Sequence, residues 1–253
     1  AEYKARLVER LLPEERGSLT DLTGGFGVDF SFLAPLFRNA VYVERNSDLC
    51  EMAQHNLPLL GAGHARVECA QAEDFLDVAG QQDLIFLDPA RRDDAGRKVV
   101  ALSDCSPDVA ALSPALLSRS RVVMVKLSPM LDVGQALLSL HAVREVHTVS
   151  VDGECRELLL VLAAGECRPA YHCVNLGRHP QSFVTSERHA QPRIAGAPGQ
   201  FLYEPNASIL KAGVQDALCE SMDVSKLHPF SHLFTSDILR QNFPGRSFRV
   251  DGI

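Results

Sequence analysis

Short apolar runs typical of buried β-strands alternate with amphipathic segments along the first two thirds of the chain. Helical patterns such as SDLCEMAQHNLPLLG (47–61) separate these runs. The alternation predicts a mostly parallel sheet built from βαβ units. The strand-like runs are SLTDLT (18–23), AVYVER (40–45), ARVECA (65–70), DLIFLDPA (83–90) and RVVMVKLS (121–128).

The pattern changes at VREVHTVSVDGECRELLLVLA (143–163), where two apolar runs flank the turn pair Asp152-Gly153. Such a pair favours a two-residue hairpin, so we expect the sheet to close with two antiparallel strands. Beyond Gly165 turn residues are frequent, and one helix is predicted in ASILKAGVQDALCESM (207–222). We therefore expect an α/β domain over residues 1–164 and a smaller α+β domain over residues 165–253.

Composition supports a globular protein. Of the 253 residues, 46% are hydrophobic and 23% are charged, which is enough to bury a sizeable core. Apolar runs stay far below the roughly 20 residues of a membrane span, and no signal-peptide pattern opens the chain, so we expect a cytoplasmic protein without a membrane partner. Because the chain starts at Ala1 in an already helical pattern, we expect that part of a longer N-terminus is missing.

The charged and metal-ligating residues give weaker signals. Residues 1–164 hold 16 Lys and Arg against 24 Asp and Glu, whereas residues 165–253 hold 9 against 8, so a polyanion would meet the second region more readily. The seven cysteines lack a C-x-x-C pattern, and most of them are expected to be buried thiols. His228 and His232 are spaced to share a helix face, but no acidic partner completes the motif, so no metal is expected.

The densest motif is DLTGGFGVD (21–29), at the end of the first predicted strand. Glycine there lets the backbone approach a ligand in the crevice at the carboxyl ends of the strands. A dinucleotide fingerprint needs a third glycine where Phe30 stands, and Asp29 would repel phosphates. A ligand with an adenosine, no phosphate and a positive group suits Asp21 and Asp29 better.

These residues resemble the class I S-adenosylmethionine-dependent methyltransferases over about residues 1–164. The resemblance implies a Rossmann-like, seven-stranded methyltransferase sheet with S-adenosylmethionine as the cofactor. It also implies that Glu44, 19 residues after Gly25, accepts hydrogen bonds from the ribose hydroxyls. The pair Glu73-Asp74 would face the adenine amino group. The expected cofactor-binding residues are Asp21, Thr23, Gly24, Gly25, Gly27, Asp29, Glu44, Arg45, Glu73, Asp74 and Asp88.

The stretch DLIFLDPARRD (83–93) follows the pattern of family members that methylate exocyclic amino groups of bases, where Asp or Asn precedes Pro-Pro and an aromatic residue. In that comparison Asp88 and Pro89 match, but Ala90 and Arg91 do not. Asp88 would orient the amine towards the methyl group, while an arginine at 91 can stack on a base or pair with phosphate. The alternative is that Asp88 caps a turn and Arg91 is solvated or paired with Asp93-Asp94.

Lys126, just beyond the fifth predicted strand, faces the same crevice. It is expected to meet a phosphate or to pair with Asp88, and the alternative is an ordinary lysine at the end of a strand. The expected catalytic residues are Asp88, Pro89, Arg91 and Lys126.

A wider resemblance links this motif to the methyltransferase family that carries a THUMP-like C-terminal domain. Its segments here are DPARRD, VKLSPMLD (125–132), GECRELL (153–159) and YEPNASILKAG (203–213). The resemblance implies an RNA substrate, so the predicted reaction is methyl transfer to a base amino group in RNA. Two alternatives stay open, namely a small-molecule methyltransferase and a catalytically decayed, cofactor-binding RNA adaptor.

Overall fold

The structure is a computed structural model that describes residues 1–91, 102, 105–165 and 168–252. It contains two compact units. The first consists of residues 1–127, 134–143 and 160–167, and the second of residues 128–133, 144–159 and 168–253.

The first unit is built from parallel strands and the helices between them. Its helices are α1 (Glu2–Leu11), α2 (Val28–Leu33), α3 (Ser47–Leu59), α4 (Ala72–Val78), α5 (Val109–Arg119) and α6 (Val133–Ser139). Its longer strands are β1 (Ser18–Asp21), β2 (Asn39–Glu44), β3 (Arg66–Cys69), β4 (Gln82–Leu87) and β7 (Ser120–Leu127). A separate two-stranded ladder pairs β5 (Ala90–Arg91) with β6 (Cys105–Ser106).

The remaining elements follow the last strand of the parallel series. They are β8 (Val143–Val151), β9 (Glu154–Leu162), β10 (Ala170–Leu176), β11 (Gln181–Thr185), β12 (Phe201–Pro205), α7 (Ala207–Ala212), α8 (Leu218–Ser221), β13 (Ser225–Lys226), β14 (Phe234–Ser236) and β15 (Gly245–Arg249). A small antiparallel sheet in the second unit has the order β13-β14-β12-β15.

The large sheet has the strand order β11-β10-β8-β9-β7-β4-β1-β2-β3. Strand β1 pairs in parallel with β2 and β4, so that Thr20 lies between Val41 and Ile85. Parallel pairing brings the carboxyl ends of β1, β2, β3, β4 and β7 to one edge. Leu19, Ile85 and Val123, on the three central strands, are buried and form part of the core beneath that edge.

This architecture confirms the expected Rossmann-like methyltransferase fold with an additional small α+β part. Asp152 and Gly153 both have positive φ, 48° and 86°, as a two-residue hairpin turn between β8 and β9 requires. The sheet has two strands more than the seven expected, because β10 pairs in parallel with β8 and β11 pairs antiparallel with β10.

Two local predictions were wrong. The single helix expected over 207–222 is divided, because Gly213 adopts a left-handed conformation with φ 70° that ends α7, and a 3₁₀ turn precedes α8. His228 and His232 lie in a turn rather than on a helix, with Pro229 between them removing a backbone donor. In the part of the chain that the structure describes, none of the helices has the length and hydropathy needed to cross a membrane.

Candidate active site

The glycine loop after β1 is held against the ring of Tyr42. A Cβ on Gly24 would lie 2.2 Å from Cε2 of that ring, so only glycine fits there. Gly25 and Gly27 have φ of 53° and 72°, and the Tyr42 hydroxyl donates to the carbonyl oxygen of Gly25. Phe30 is fully buried and packs edge-on against Tyr42 at 5.6 Å. The third glycine of a dinucleotide fingerprint is therefore replaced by a core side chain.

Thr23 joins the ends of β1 and β4. Its backbone N–H donates to Oδ1 of Asp21 at 2.9 Å, and its hydroxyl accepts from the backbone N–H of Asp88 at 2.6 Å. Asp21 is only 2% exposed, and burial raises its pKa to about 7, an effect that the charges of Asp29 and Asp88 increase. The carboxyl group of Asp21 therefore titrates near neutral pH, which is unusual for an aspartate.

A chain of ion pairs runs across the strand ends. Lys126 Nζ lies 2.6 Å from Oδ2 of Asp88 and 3.2 Å from Oδ2 of Asp29, and Lys4 Nζ lies 3.1 Å from Oδ1 of Asp29. Burial alone would raise the pKa of Asp29, but the charges of Lys4 and Lys126 outweigh it and lower that pKa. Burial opposes the charge of Lys126, yet the contacts with Asp88 and Asp29 raise its pKa. The pairing predicted between Lys126 and Asp88 is present.

Glu44, the last residue of β2, fixes the loop from the opposite side. Its Oε2 accepts from the backbone N–H of Gly25, and its Oε1 accepts from the backbone N–H of Asn46, both at 2.9 Å. Asn46 in turn caps α3 by accepting from the N–H of Asp48. The carboxylate is therefore rigidly placed beside the glycine loop.

A cavity of about 530 Å³ opens between these groups, at the carboxyl ends of the strands. Five carboxylates and two cationic side chains line it. They belong to Asp21, Asp29, Glu44, Glu73 and Asp88, and to Arg45 and Lys126. The backbone of the glycine loop and an apolar wall that includes Leu49, Ala72 and Phe86 complete the lining.

Most of the predicted site residues lie on this cavity, but not all. Those that line it are Asp21, Thr23, Gly24, Gly25, Gly27, Asp29, Glu44, Arg45, Glu73, Asp88 and Lys126. Asp74 and Pro89 are not part of the lining. Arg91 ends strand β5, but its side chain, like Arg92, Asp93 and Asp94, lies outside the described residues. The predicted alternatives for Arg91 therefore stay open.

Several lining residues were not predicted. Phe26, inside the glycine loop, has 78% of its surface exposed, which is unusual for so large an apolar side chain. Its position between two glycines is the signal that points to it. Ser106 and Pro107 also line the cavity, and the Arg45 guanidinium donates to the Ser106 hydroxyl at 3.4 Å. The sequence offered no motif at Ser106 or Pro107 that points to the cavity.

The chemistry of the cavity suits a cationic ligand with a flat apolar part. Carboxylates outnumber cationic groups, so a pyrophosphate would be repelled. The Rossmann-like methyltransferase fold also places the cavity at the edge where such sheets bind nucleotides.

Comparison with known proteins shows an extensive similarity to a solved structure. A crystal structure from Porphyromonas gingivalis W83, of a protein provisionally described as a methyltransferase, superposes with a TM-score of 0.85 at 33% identity. The match covers 99% of this chain and 64% of that protein, so this chain spans less than two thirds of its neighbour's length. A family model for a ferredoxin-like domain matches residues 201–244. No curated protein sequence matches the chain.

Two further solved structures share less with this chain. An rRNA methylase from Streptococcus thermophilus has a TM-score of 0.47 at 13% identity, over 64% of this chain and 94% of that one. A protein from Pyrococcus horikoshii, provisionally described as an RNA methyltransferase, has a TM-score of 0.39 at 17% identity, over 50% of this chain and 58% of that one.

Proposed function

We propose that the protein is an S-adenosylmethionine-dependent methyltransferase that uses the cavity of the first unit as its active site. The observation that carries the proposal is the acidic cavity at the carboxyl ends of the strands, closed on one side by the glycine loop. The neighbour from Porphyromonas gingivalis, similar over 99% of this chain, adds support.

The cavity residues fit the cofactor by charge and shape. The apolar wall at Leu49 and Ala72 suits an adenine, and Glu44, held by two backbone N–H groups, is oriented to accept from ribose hydroxyls. Ionised Asp21 compensates the positive charge of the ligand. Asp21 and Asp29 were both expected to receive that charge. Because Asp29 is already paired with Lys4 and Lys126, we assign this role to Asp21.

When bound, S-adenosylmethionine supplies an electrophilic methyl group together with its own leaving group. The protein's task is therefore to position the acceptor atom and exclude water. Asp88 is suited to this because Lys126 and the Thr23 hydroxyl hold its side chain and its backbone. Lys126 contacts Oδ2, so we assign Oδ1 to accept a hydrogen bond from the attacking amine, which orients its lone pair.

The substrate that we propose is a base amino group in RNA. Two features support this choice, the DPAR motif around Asp88 and the exposed ring of Phe26 at the cavity. An exposed aromatic side chain offers a surface on which a planar base can stack. Phe26 would thus supply the aromatic ring that the DPAR motif lacks at position 91. The C-terminal region resembles THUMP-like domains, and this resemblance also implies an RNA substrate.

The test is methyl transfer from labelled S-adenosylmethionine to total RNA, followed by mass spectrometry of the modified nucleosides. The wild-type chain should label RNA, and Phe26→Ala should raise KM for RNA by about tenfold with little change in kcat, since stacking contributes ~1–3 kcal/mol per base. Phe32→Ala is a matched control, because this exposed phenylalanine does not line the cavity.

The possible results separate the predicted functions. Label in small molecules but not in RNA would favour the small-molecule alternative. Cofactor and RNA binding without any transfer would favour the adaptor. Equal KM values for Phe26→Ala and the wild type would remove Phe26 from substrate binding.

A further inference from the structure

A second cluster of chemically capable side chains lies in the second unit. Glu145 and His147 are on β8, and His172 is on β10. Each offers one ligand atom, and the three atoms lie within 4.8 Å of one another. His147 is fully buried, whereas Glu145 and His172 are 15% and 20% exposed.

Strand pairing explains why these three side chains meet. His172 is directly opposite His147 in the parallel ladder of β8 and β10, and Glu145 precedes His147 by two positions on the same strand. Side chains alternate along a strand, so all three project from one face of the sheet. The thiol of Cys173 lies next to His172 in sequence but belongs to the opposite face, so among the described residues the candidate ligands are two imidazoles and one carboxylate.

The three ligand atoms are close enough to share one ion, and without an ion Glu145 and His147 share a hydrogen bond. Oε2 of Glu145 lies 2.8 Å from Nε2 of His147 and 3.7 Å from Nε2 of His172. Ligands at about 2.1 Å from a tetrahedral ion are about 3.4 Å apart, a value between these two distances. The imidazole rings are nearly parallel, with centroids 4.4 Å apart.

We propose that Glu145, His147 and His172 form a binding site for a single divalent transition-metal ion of the zinc class. Two imidazoles and a carboxylate suit zinc, and solvent completes the fourth position through the partly exposed side of Glu145 and His172. The ion links β8 to β10 and stabilises the second unit. This proposal does not rest on the proposed methyl transfer, because Glu145, His147 and His172 are not among the residues that line the proposed active site.

The test uses the full chain after removal of metals with a chelator and dialysis. Zinc chloride is titrated by calorimetry, and the visible absorption of added cobalt reports the coordination geometry. We expect one ion per chain, a tetrahedral cobalt spectrum and a higher Tm with zinc. Because His147 is fully buried, the variants are His172→Gln and Glu145→Gln, each expected to weaken zinc binding by about a hundredfold or more.

His189→Gln is the matched control, since this exposed histidine lies outside the cluster and its replacement should leave zinc affinity unchanged. Circular dichroism confirms that each variant is folded. Absence of stoichiometric zinc binding, or equal affinity in His172→Gln and the wild type, would overturn the proposal. The cluster would then be a carboxylate–imidazole hydrogen-bond network only. The experiment measures zinc binding and not methyl transfer. A negative result would therefore reject the zinc site without bearing on the proposed methyltransferase activity.

Discussion

Lys126 Nζ lies 2.6 Å from Oδ2 of Asp88, and the same ammonium group lies 3.2 Å from Asp29. Asp88 follows β4 and Lys126 lies near the end of β7, so the pair spans two adjacent parallel strands at the cavity. The lysine holds the carboxylate that we propose to orient the substrate amine. Mutating Lys126 and Asp88 one at a time therefore separates their contributions to kcat.

We expect Asp88→Ala to lower kcat by about a hundredfold with little change in cofactor affinity, because the contact is made mainly in the transition state. Asp88→Asn keeps one acceptor oxygen and should retain part of the activity. Lys126→Met should lower kcat by roughly tenfold through looser positioning of Asp88, while Lys4 still pairs with Asp29. Single-turnover rates measure these changes, and full activity of Asp88→Ala would exclude the amine-orienting role.

The raised pKa of Asp21 predicts a pH-dependent stability. Its folded pKa, about 7, exceeds the ordinary value of 3.8, so the native state binds the extra proton between these values. The resulting stabilisation is present at low pH and is lost as the pH rises through 7. Asp21→Asn keeps the acceptor for the Thr23 N–H without the charge. It should therefore exceed the wild type in stability by on the order of 4 kcal/mol at pH 8, and by less than half of that at pH 5.

Thermal denaturation of both proteins at the two pH values measures this difference. Binding of a cationic cofactor should favour ionised Asp21 and release a proton near pH 6, which calorimetry in two buffers of different ionisation enthalpy detects. Asp21→Asn should not release that proton. Parallel stability curves for the two proteins would show that Asp21 does not titrate near neutral pH.

Gly24 should tolerate no side chain. The Cβ of Gly24→Ala would overlap the ring of Tyr42, which is fully buried and packed against Phe30. We expect a loss of about 1–3 kcal/mol in the free energy of unfolding. Gly80→Ala is the control, since a Cβ at that position would have no neighbouring atom within 4 Å and the φ of Gly80 is ordinary. Chemical denaturation compares the two variants, and equal stabilities would refute the close packing of the loop.

Much of the first unit could be predicted from sequence because local pattern and tertiary packing agree there. Each of the five strand-like runs forms a strand, and Asp152-Gly153 forms the predicted turn. The order of the strands in the sheet brings Asp21, Glu44 and Asp88 to one cavity. Acidic residues at the ends of successive strands therefore correctly indicated which residues line the cavity.

Other features could not be predicted, because they depend on tertiary contacts that no local sequence pattern reveals. A left-handed Gly213 divides a segment whose composition favours one helix. The pairing of β10 with β8 brings His172 beside His147 although 25 positions separate them in the chain. Glu73 and Asp74 look equivalent in sequence, but only Glu73 lies on the helix face that lines the cavity. The register of the strands determines which histidines meet, and the rotation of the helix about its axis determines which acidic side chain faces the cavity.

The most direct test of the central claim is a calorimetric titration of the full chain with S-adenosylmethionine. We predict one site per chain, and a ten- to hundredfold loss of affinity in Glu44→Ala, since hydrogen bonds to a charged group contribute ~1.5–3 kcal/mol. Glu68→Ala, on the neighbouring strand and outside the cavity, should bind like the wild type. No binding by the wild-type chain, or an unchanged affinity in folded Glu44→Ala, would contradict the assignment of this cavity to S-adenosylmethionine.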